Sequence, residues 1–331
     1  MQKKINAAII GMGIGEKHYY AINNYKGSKI SIICEKNKKK IKKLKKKFPQ
    51  TLITSDENVI FKNNDINLVS IASYDQDHYK QIIKCIKSNK NIIIEKPMCL
   101  KQTELVNIKK LLMKKKNVKI LSNLVLRVNA LFKHFKKKII KRNIYYIEAD
   151  YDWGRSYKLQ EWRAEQKNYS ITLGAGIHMI DLAMWTLGMR PQSVVAFGNN
   201  NATKGTKFKK ISFAVYLFKF PNNIILKVTA NAVSKHSHFH HFKIYEKNKS
   251  LINSYLGSYS FNSNNKFSKI DYNYPDKNRR KNLIRNFIKN ILENKKNKFT
   301  IKNQIDLMSA CLYADKSMNT GKELKIRYLN S

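Results

Sequence analysis

The sequence predicts an α/β protein: a doubly wound parallel sheet, followed by an α+β domain with an open, mostly antiparallel sheet. Over residues 1–122, short runs of β-branched residues alternate with helical segments, which is the spacing of βαβ units. Within residues 193–254, strand patterns follow one another without helices between them, and this favours antiparallel pairing. We therefore expect two domains, residues 1–122 and residues 123–331.

The composition is that of an ordinary globular protein. The chain has 331 residues, 43% of them hydrophobic, and no apolar run approaches the roughly 18 residues of a membrane span. The N-terminus leads within a few residues into a strand, so we expect no secretory signal. The four cysteines show no paired spacing, which is typical of free thiols in a reducing cytoplasm: Cys34, Cys85, Cys99 and Cys311.

The formal net charge of +43 allows two interpretations. Clustered cations would bind nucleic acid, but here the excess is mostly lysine, is spread along the chain and comes with little arginine, the better reader of bases and phosphates. A compositional bias on solvated faces explains this distribution better. We therefore expect no specific nucleic-acid partner, and only a general attraction for anionic substrates.

A glycine-rich turn joins the first strand, Ile5 to Ile10, to a helix. Backbone N–H groups and the start of a helix together bind pyrophosphate, which predicts a dinucleotide site and a Rossmann-type domain. The third glycine comes one residue earlier than in the usual G-x-G-x-x-G pattern. We assign cofactor binding to all five residues of the turn: Gly11, Met12, Gly13, Ile14 and Gly15.

An acidic residue, Glu35, closes the second strand about twenty residues after the glycines. A carboxylate there can accept both hydroxyls of the adenosine ribose and repels a 2′-phosphate, so it favours NAD over NADP. The alternative is a solvated glutamate in a lysine-rich loop.

The ends of two later strands carry further polar residues. Ser73 and His78 follow one buried strand, and Glu95 and Lys96 follow the next, Asn91 to Ile94. Ligands of doubly wound sheets bind beyond these carboxyl ends, so we take all four residues as cofactor-binding. Lys96 is also placed for chemistry, unless it is simply an exposed lysine beside a turn proline.

In the second half, a helix with a glycine-rich first turn carries His178 and Asp181 on one face. A neutral imidazole suits removal of a hydroxyl proton, and a nearby ammonium would stabilise the alkoxide that develops. The carboxylate could orient the ring or bind a substrate hydroxyl. The alternative for His178 is an ordinary helix histidine with no role in chemistry.

Four pieces in this order resemble the glucose–fructose oxidoreductase / inositol dehydrogenase family, Gfo/Idh/MocA: the glycine turn with His18, Glu35, Glu95-Lys96-Pro97, and Gly176-x-His178-x-x-Asp181. The resemblance implies a nicotinamide-dependent oxidoreductase acting on a sugar, cyclitol or nucleotide sugar. It assigns residues 123–331 to substrate binding and to contacts between subunits of a homodimer or homotetramer.

The resemblance also implies roles for single residues. Lys96 and His178 match the catalytic lysine and histidine of the family. Three residues match a substrate loop and join Asp181 as substrate-binding candidates: Arg155, Trp162 and Arg163. Many relatives have an aspartate where this chain has Gly174, so Asp181 or a loop residue must take its place. The alternative function is a non-catalytic NAD(P)-binding sensor on the same fold.

The run His236-x-His238-x-His240-His241 has to be considered separately. If these residues form a strand, His236, His238 and His240 share one face and could bind zinc. No carboxylate or cysteine lies near them in the sequence. A polar strand face or part of a substrate cleft is the better interpretation, and we expect no metal site.

Overall fold

The computed structural model describes residues 4–264, 266–272 and 274–329. Contacts within the chain define two compact units. The first contains the residues up to Asn123 together with residues 277–305, and the second contains residues 124–276 and those from Asp306 onward. The sequence placed the whole C-terminal tail in the second domain, whereas the structure groups 277–305 with the first.

The first unit is a six-stranded sheet in the order β3-β2-β1-β4-β5-β6, with every neighbouring pair parallel. This is the strand order of a Rossmann fold, and the predicted fold class is confirmed. Its strands are β1 Ile5–Ile10, β2 Ser28–Cys34, β3 Leu52–Thr54, β4 Leu68–Ile71, β5 Asn91–Ile94 and β6 Ile120–Ser122. Its helices are α1 Gly15–Asn23, α2 Lys38–Lys47, α3 Asn58–Lys62, α4 Asp75–Lys87, α5 Gln102–Lys114 and, from the tail, α9 Arg279–Leu292.

The tail joins the first unit through polar contacts that local sequence patterns do not reveal. Arg285 in α9 donates to the carbonyl of Asn24 at the end of α1 (3.0 Å). The buried side chain of Gln304 accepts from the Ser122 N–H (2.6 Å) and donates to the carbonyl of Ile120 (3.1 Å). Gln304 thereby extends the hydrogen bonding of the edge strand β6.

The second unit is a nine-stranded sheet in the order β14-β13-β12-β11-β7-β10-β9-β8-β15. Among the described strands of this second sheet, only β7 and β10 pair in parallel. The expected mostly antiparallel sheet is therefore confirmed. Its strands are β7 Ile144–Asp152, β8 Ser193–Asn199, β9 Phe213–Lys219, β10 Ile225–Asn231, β11 Phe239–Glu246, β12 Lys249–Ser254, β13 Gly257–Asn262, β14 Phe267–Lys269 and β15 Leu324–Lys325. Its helices are α6 Ala130–Lys138, α7 Trp162–Glu165, α8 Ile177–Leu187 and α10 Ile301–Thr320, of which the part from Asp306 belongs to this unit.

Helix α8 is the buried centre of the second unit. Nine of its residues are buried, and a π-helical turn, Thr172–Gly176, leads directly into it. Asp181 on this helix is 1% exposed and accepts from Arg127, both from Nε to its two carboxylate oxygens (2.9 and 2.8 Å) and from Nη2 (2.5 Å). In the described part of the chain, no helix is both long and apolar enough to cross a membrane.

Removing one partner of the buried Arg127–Asp181 pair should destabilise the second unit strongly. Arg127→Met leaves a buried carboxylate without its guanidinium, and we expect a loss of about 3 kcal/mol in the free energy of unfolding. Arg127→Met combined with Asp181→Leu should recover most of that loss, because no uncompensated charge remains. Urea denaturation followed by tryptophan fluorescence measures this, since Trp153, Trp162 and Trp185 all lie in the second unit.

The exposed pair between Lys219 and Glu323 (3.9 Å) provides the control. Lys219→Met should change the free energy of unfolding by less than about 1 kcal/mol, because solvent screens exposed ion pairs. An Arg127→Met protein as stable as the wild type would contradict the structural importance of the buried pair.

Candidate active site

The three glycines of the turn between β1 and α1 differ in their surroundings. Gly11 has a φ of +87°, and a β-carbon there would lie 2.6 Å from the carbonyl oxygen of Ala72. A β-carbon on Gly15 would lie 3.1 Å from the Ile9 side chain, so this glycine permits close packing of helix on strand. Gly13 is exposed, and a β-carbon on it would meet nothing within 4 Å. The early third glycine therefore still serves its packing role, and the open side of the turn lies at Gly13.

Glu35 holds this turn in place. One of its carboxylate oxygens accepts from the Met12 N–H (3.0 Å), and the other accepts from the Asn37 N–H (3.0 Å). The residue is 9% exposed. Glu35 therefore joins the carboxyl end of β2 to the glycine turn, while Ile14 is the residue that precedes α1.

His78 links the loops that follow β4 and β5. Its ring is fully buried, with Nδ1 2.6 Å from the carbonyl oxygen of Pro97 and Nε2 3.2 Å from that of Ser73. The Ser73 hydroxyl donates to Gln81 (2.6 Å) and remains half-buried. The sequence proposed both residues for cofactor binding, and within the structure the His78 ring positions the backbone of the two loops.

A buried polar network surrounds Glu95, the residue before Lys96. His18 in α1 places Nε2 2.9 Å from the Glu95 carboxylate and Nδ1 2.7 Å from the Ser70 hydroxyl. Asn123 donates to the same carboxylate, and Arg280 from α9 lies 3.5 Å from it. Burial alone would raise the pKa of Glu95, but the hydrogen bond and charge of His18, with Arg280 and Asn123, hold it well below its usual range. Glu95 is therefore an ionised anchor.

The network explains where Lys96 sits. Lys96 is half-buried between the buried residues Glu95 and Pro97, at the carboxyl end of β5, in which Ile92–Ile94 are fully buried. Sequence reasoning identified Lys96 and Glu95 but not the partners Ser70, Asn123 and Arg280. These are distant in sequence, and only His18 had a motif signal.

In the second unit, His178 occupies the first turn of α8 and is half-buried. Its ring stacks nearly parallel on Tyr151 in β7, with ring centres 5.7 Å apart and 8° between the planes. The ring of His240 in β11 lies edge-on to His178, with centres 6.4 Å apart. Tyr151 and His240 face each other across the β7–β11 pair, so the sheet presents two rings to His178.

The other expected substrate residues of this unit have distinct environments. Burial raises the pKa of Asp181, and Arg127 opposes that rise while occupying both carboxylate oxygens. Asp181 is 1% exposed, so its carboxylate is buried together with this pairing to Arg127. The Arg163 guanidinium lies over the rings of Trp153 (4.8 Å) and Trp162 (4.3 Å), which are both half-buried, and Arg155 is exposed.

The histidine run does not form one strand face, because β11 begins at Phe239 and both His236 and His238 precede it. His240 is buried, and its Nδ1 lies 2.6 Å from the Tyr274 hydroxyl. His236 contacts the Tyr255 hydroxyl instead. Within the described ranges, no three His, Cys, Asp or Glu side chains are grouped so that they could hold a metal ion.

Solved structures with the same fold cover almost the whole chain. Scyllo-inositol dehydrogenase from Lactobacillus casei, with bound NAD(H) and scyllo-inositol, matches with a TM-score of 0.83 at 18% identity, over 98% of this chain and 99% of that one. Myo-inositol 2-dehydrogenase from Lactobacillus plantarum gives 0.82 at 19% identity, over 98% and 100%. Levoglucosan dehydrogenase with NADH and levoglucosan gives 0.84 at 18%, over 98% and 100%. At 18–19% sequence identity, this structural similarity is evidence for a shared fold.

Family models match both units, whereas a search of curated proteins found no match. Residues 5–123 match "Oxidoreductase family, NAD-binding Rossmann fold", and residues 143–252 match "GFO/IDH/MocA C-terminal domain". Together the two matches cover more than half of the sequence and agree with the glycine turn, Glu35 and the strand order of the first unit. The chain belongs to the GFO/IDH/MocA family of oxidoreductases and carries its NAD-binding Rossmann domain.

Proposed function

We propose that this protein is an NAD-dependent dehydrogenase that transfers a hydride between NAD(H) and a hydroxyl or keto carbon of a sugar, cyclitol or nucleotide sugar. The carrying observation is the Glu95 network, which fixes a half-buried lysine at the carboxyl end of β5 in a family of NAD-binding oxidoreductases. Inositol and levoglucosan dehydrogenases are among the solved structures of similar fold, which supports the substrate class.

The first unit fits a dinucleotide. Gly13 leaves open space at the turn, so a pyrophosphate can approach the backbone N–H groups at the start of α1. The Glu35 carboxylate, at the adjacent end of β2, accepts ribose hydroxyls and disfavours a 2′-phosphate, so NAD is preferred over NADP. Bound NAD supplies the nicotinamide ring that accepts or donates the hydride.

Lys96 and His178 are the proposed catalytic pair. In the oxidative direction, the neutral His178 imidazole accepts the proton of the substrate hydroxyl. The Lys96 ammonium stabilises the negative charge that develops on that oxygen, and it remains protonated throughout. In the reductive direction the same groups act in reverse, with the His178 imidazolium returning the proton.

The Trp153–Arg163–Trp162 stack and Arg155 are proposed to contact the substrate. Indole rings offer a flat apolar surface, and a guanidinium donates to several hydroxyl oxygens at once. A cytoplasmic setting is also part of the proposal, supported by four cysteines that are all unpaired and buried.

Loss of either catalytic group should reduce turnover strongly and spare cofactor binding. For Lys96→Met and His178→Asn we expect kcat/KM to fall about 10³-fold, because charge stabilisation or proton transfer is lost in the transition state. Fluorescence titration with NADH should show affinities within a few-fold of the wild type. Oxidation of scyllo-inositol, myo-inositol and levoglucosan, followed as NADH absorbance, measures the turnover.

Lys116→Met is the matched control, because Lys116 is an exposed lysine of the same unit. It should retain wild-type kinetics. A kcat/KM within about tenfold of the wild type in Lys96→Met or His178→Asn would contradict the assigned roles. Undetectable NADH binding by the wild type would contradict the dehydrogenase proposal as a whole.

Glu35 should determine the choice between the two nicotinamide cofactors. Wild-type protein should bind NADH at least about 100-fold more tightly than NADPH, because the carboxylate repels a 2′-phosphate. Glu35→Gln keeps an oxygen that can accept from the Met12 N–H but removes the charge, so it should narrow that ratio mainly through tighter NADPH binding. Fluorescence titrations with both cofactors measure the ratio, and Glu293→Gln, at an exposed glutamate of the same unit, should leave it unchanged. Equal affinities in the wild type would overturn this assignment.

We further propose that the chain forms a homodimer or homotetramer through the solvent-facing side of the second sheet. Phe197 (58% exposed) and Leu217 (44% exposed) are apolar residues on that side, where burial against a second copy would stabilise an assembly. Leu217→Glu should shift the mass measured by light scattering after gel filtration toward the monomer. Leu256→Glu, at an 87% exposed turn residue, should not. A monomeric wild type would contradict the proposal.

A further inference from the structure

We propose that the Tyr169 hydroxyl is a substrate-contacting group beside His178, in the space that a side chain at position 174 would fill. This inference rests on the proposed dehydrogenase function and names a further residue of the same substrate site. It concerns only residues of the second unit.

The geometry of Gly174 points to Tyr169. A β-carbon on Gly174 would lie 2.6 Å from the Tyr169 hydroxyl oxygen and 3.0 Å from the ring carbon that bears it. Gly174 lies within the π-helical turn and has no left-handed backbone conformation that would require glycine. The missing side chain therefore makes room for the phenol.

Neighbouring rings and anchors hold the phenol in place. The Tyr169 ring meets the fully buried Phe208 edge-on, with centres 5.6 Å apart, and it meets Trp162 edge-on at 6.4 Å. The next residues are fixed as well, because the hydroxyls of Ser170 (2.5 Å) and Thr172 (3.0 Å) donate to Asp315.

The helix places this hydroxyl near His178. Residue 174 precedes His178 by four residues, and the π-helical turn that contains it runs directly into α8, so the two positions lie about one turn apart along the same continuous helical segment. Side chains of a helix lean toward its N-terminus, so the imidazole leans toward the turn against which the Tyr169 hydroxyl lies. π-helical turns are frequent at functional sites, which agrees with this placement.

The chemistry of a phenol defines what it would bind. A tyrosine hydroxyl donates one hydrogen bond and accepts others without adding charge. Beside His178 it can hold a hydroxyl of a polyol next to the reacting carbon. Asp181, the other candidate for this task, is 1% exposed and bound by Arg127.

Tyr169→Phe tests the inference, because it removes the hydroxyl and keeps the ring. We expect kcat/KM for the polyol that the wild type oxidises best to fall about tenfold, as one hydrogen bond to substrate is lost. NADH affinity and melting temperature should stay unchanged. Tyr157→Phe, an exposed tyrosine twelve residues earlier in the chain, is the matched control and should behave as the wild type.

A second test moves the hydrogen-bonding group from position 169 to position 174. Tyr169→Ala should lose the contact, and adding Gly174→Asp should restore at least about a third of the wild-type kcat/KM, since a carboxylate then accepts from the same substrate hydroxyl. Gly174→Asp alone should be impaired, because its side chain meets the Tyr169 ring. Tyr169→Phe decides the question if the double variant does not fold.

The outcomes separate this inference from the proposed function. Turnover that depends on Lys96 but is unchanged in Tyr169→Phe would overturn the role of Tyr169 alone. So would a folded double variant no more active than Tyr169→Ala. A wild-type protein that binds NADH but oxidises no sugar, cyclitol or nucleotide sugar would overturn the substrate class and this inference together.

Discussion

The buried carboxylate of Glu95 is the constraint on which the first unit depends. An ionised carboxylate removed from water is costly unless charged or polar groups surround it. Here those groups come from α1 (His18), the residue after β6 (Asn123) and α9 (Arg280), and Ser70 in β4 in turn holds the other ring nitrogen of His18. These groups come from separate elements of the chain, so the surroundings of the strand end that carries Lys96 depend on all of them being packed together.

The second unit uses the same device with different residues. Asp181, bound by Arg127, lies on α8, the helix that carries His178, and Asp315 anchors the residues just before that helix. Burial raises the pKa of Asp315, and the hydroxyls of Ser170 and Thr172 oppose that rise. In both units, a buried carboxylate held by side chains from other parts of the chain lies close in sequence to the candidate catalytic group.

The sequence was sufficient for features that are local. Runs such as Ile92–Ile94 identify a strand buried on both faces, and the glycine turn with Glu35 identifies the cofactor side of the first sheet. It was not sufficient for features that depend on distant partners. Nothing local distinguishes Glu95 as an anchor, because Asn123 and Arg280 are remote in sequence, and the same holds for the tail that joins the first unit. The strands β14 and β15, of three and two residues, are too short to show a clear alternation.

The chain has few acidic residues, and this bears on why position 174 is glycine where many relatives have an aspartate. The chain has 22 acidic residues against 65 lysines and arginines, and near His178 two of the acids are already engaged as Asp181 and Asp315. The lysines of α2 are all exposed, so the positive excess is solvated there. A further carboxylate beside two partly compensated ones would raise the cost of burial in the half-buried site. The Tyr169 hydroxyl supplies a hydrogen bond without that cost. It can occupy the space beside position 174 because Gly174 has no side chain.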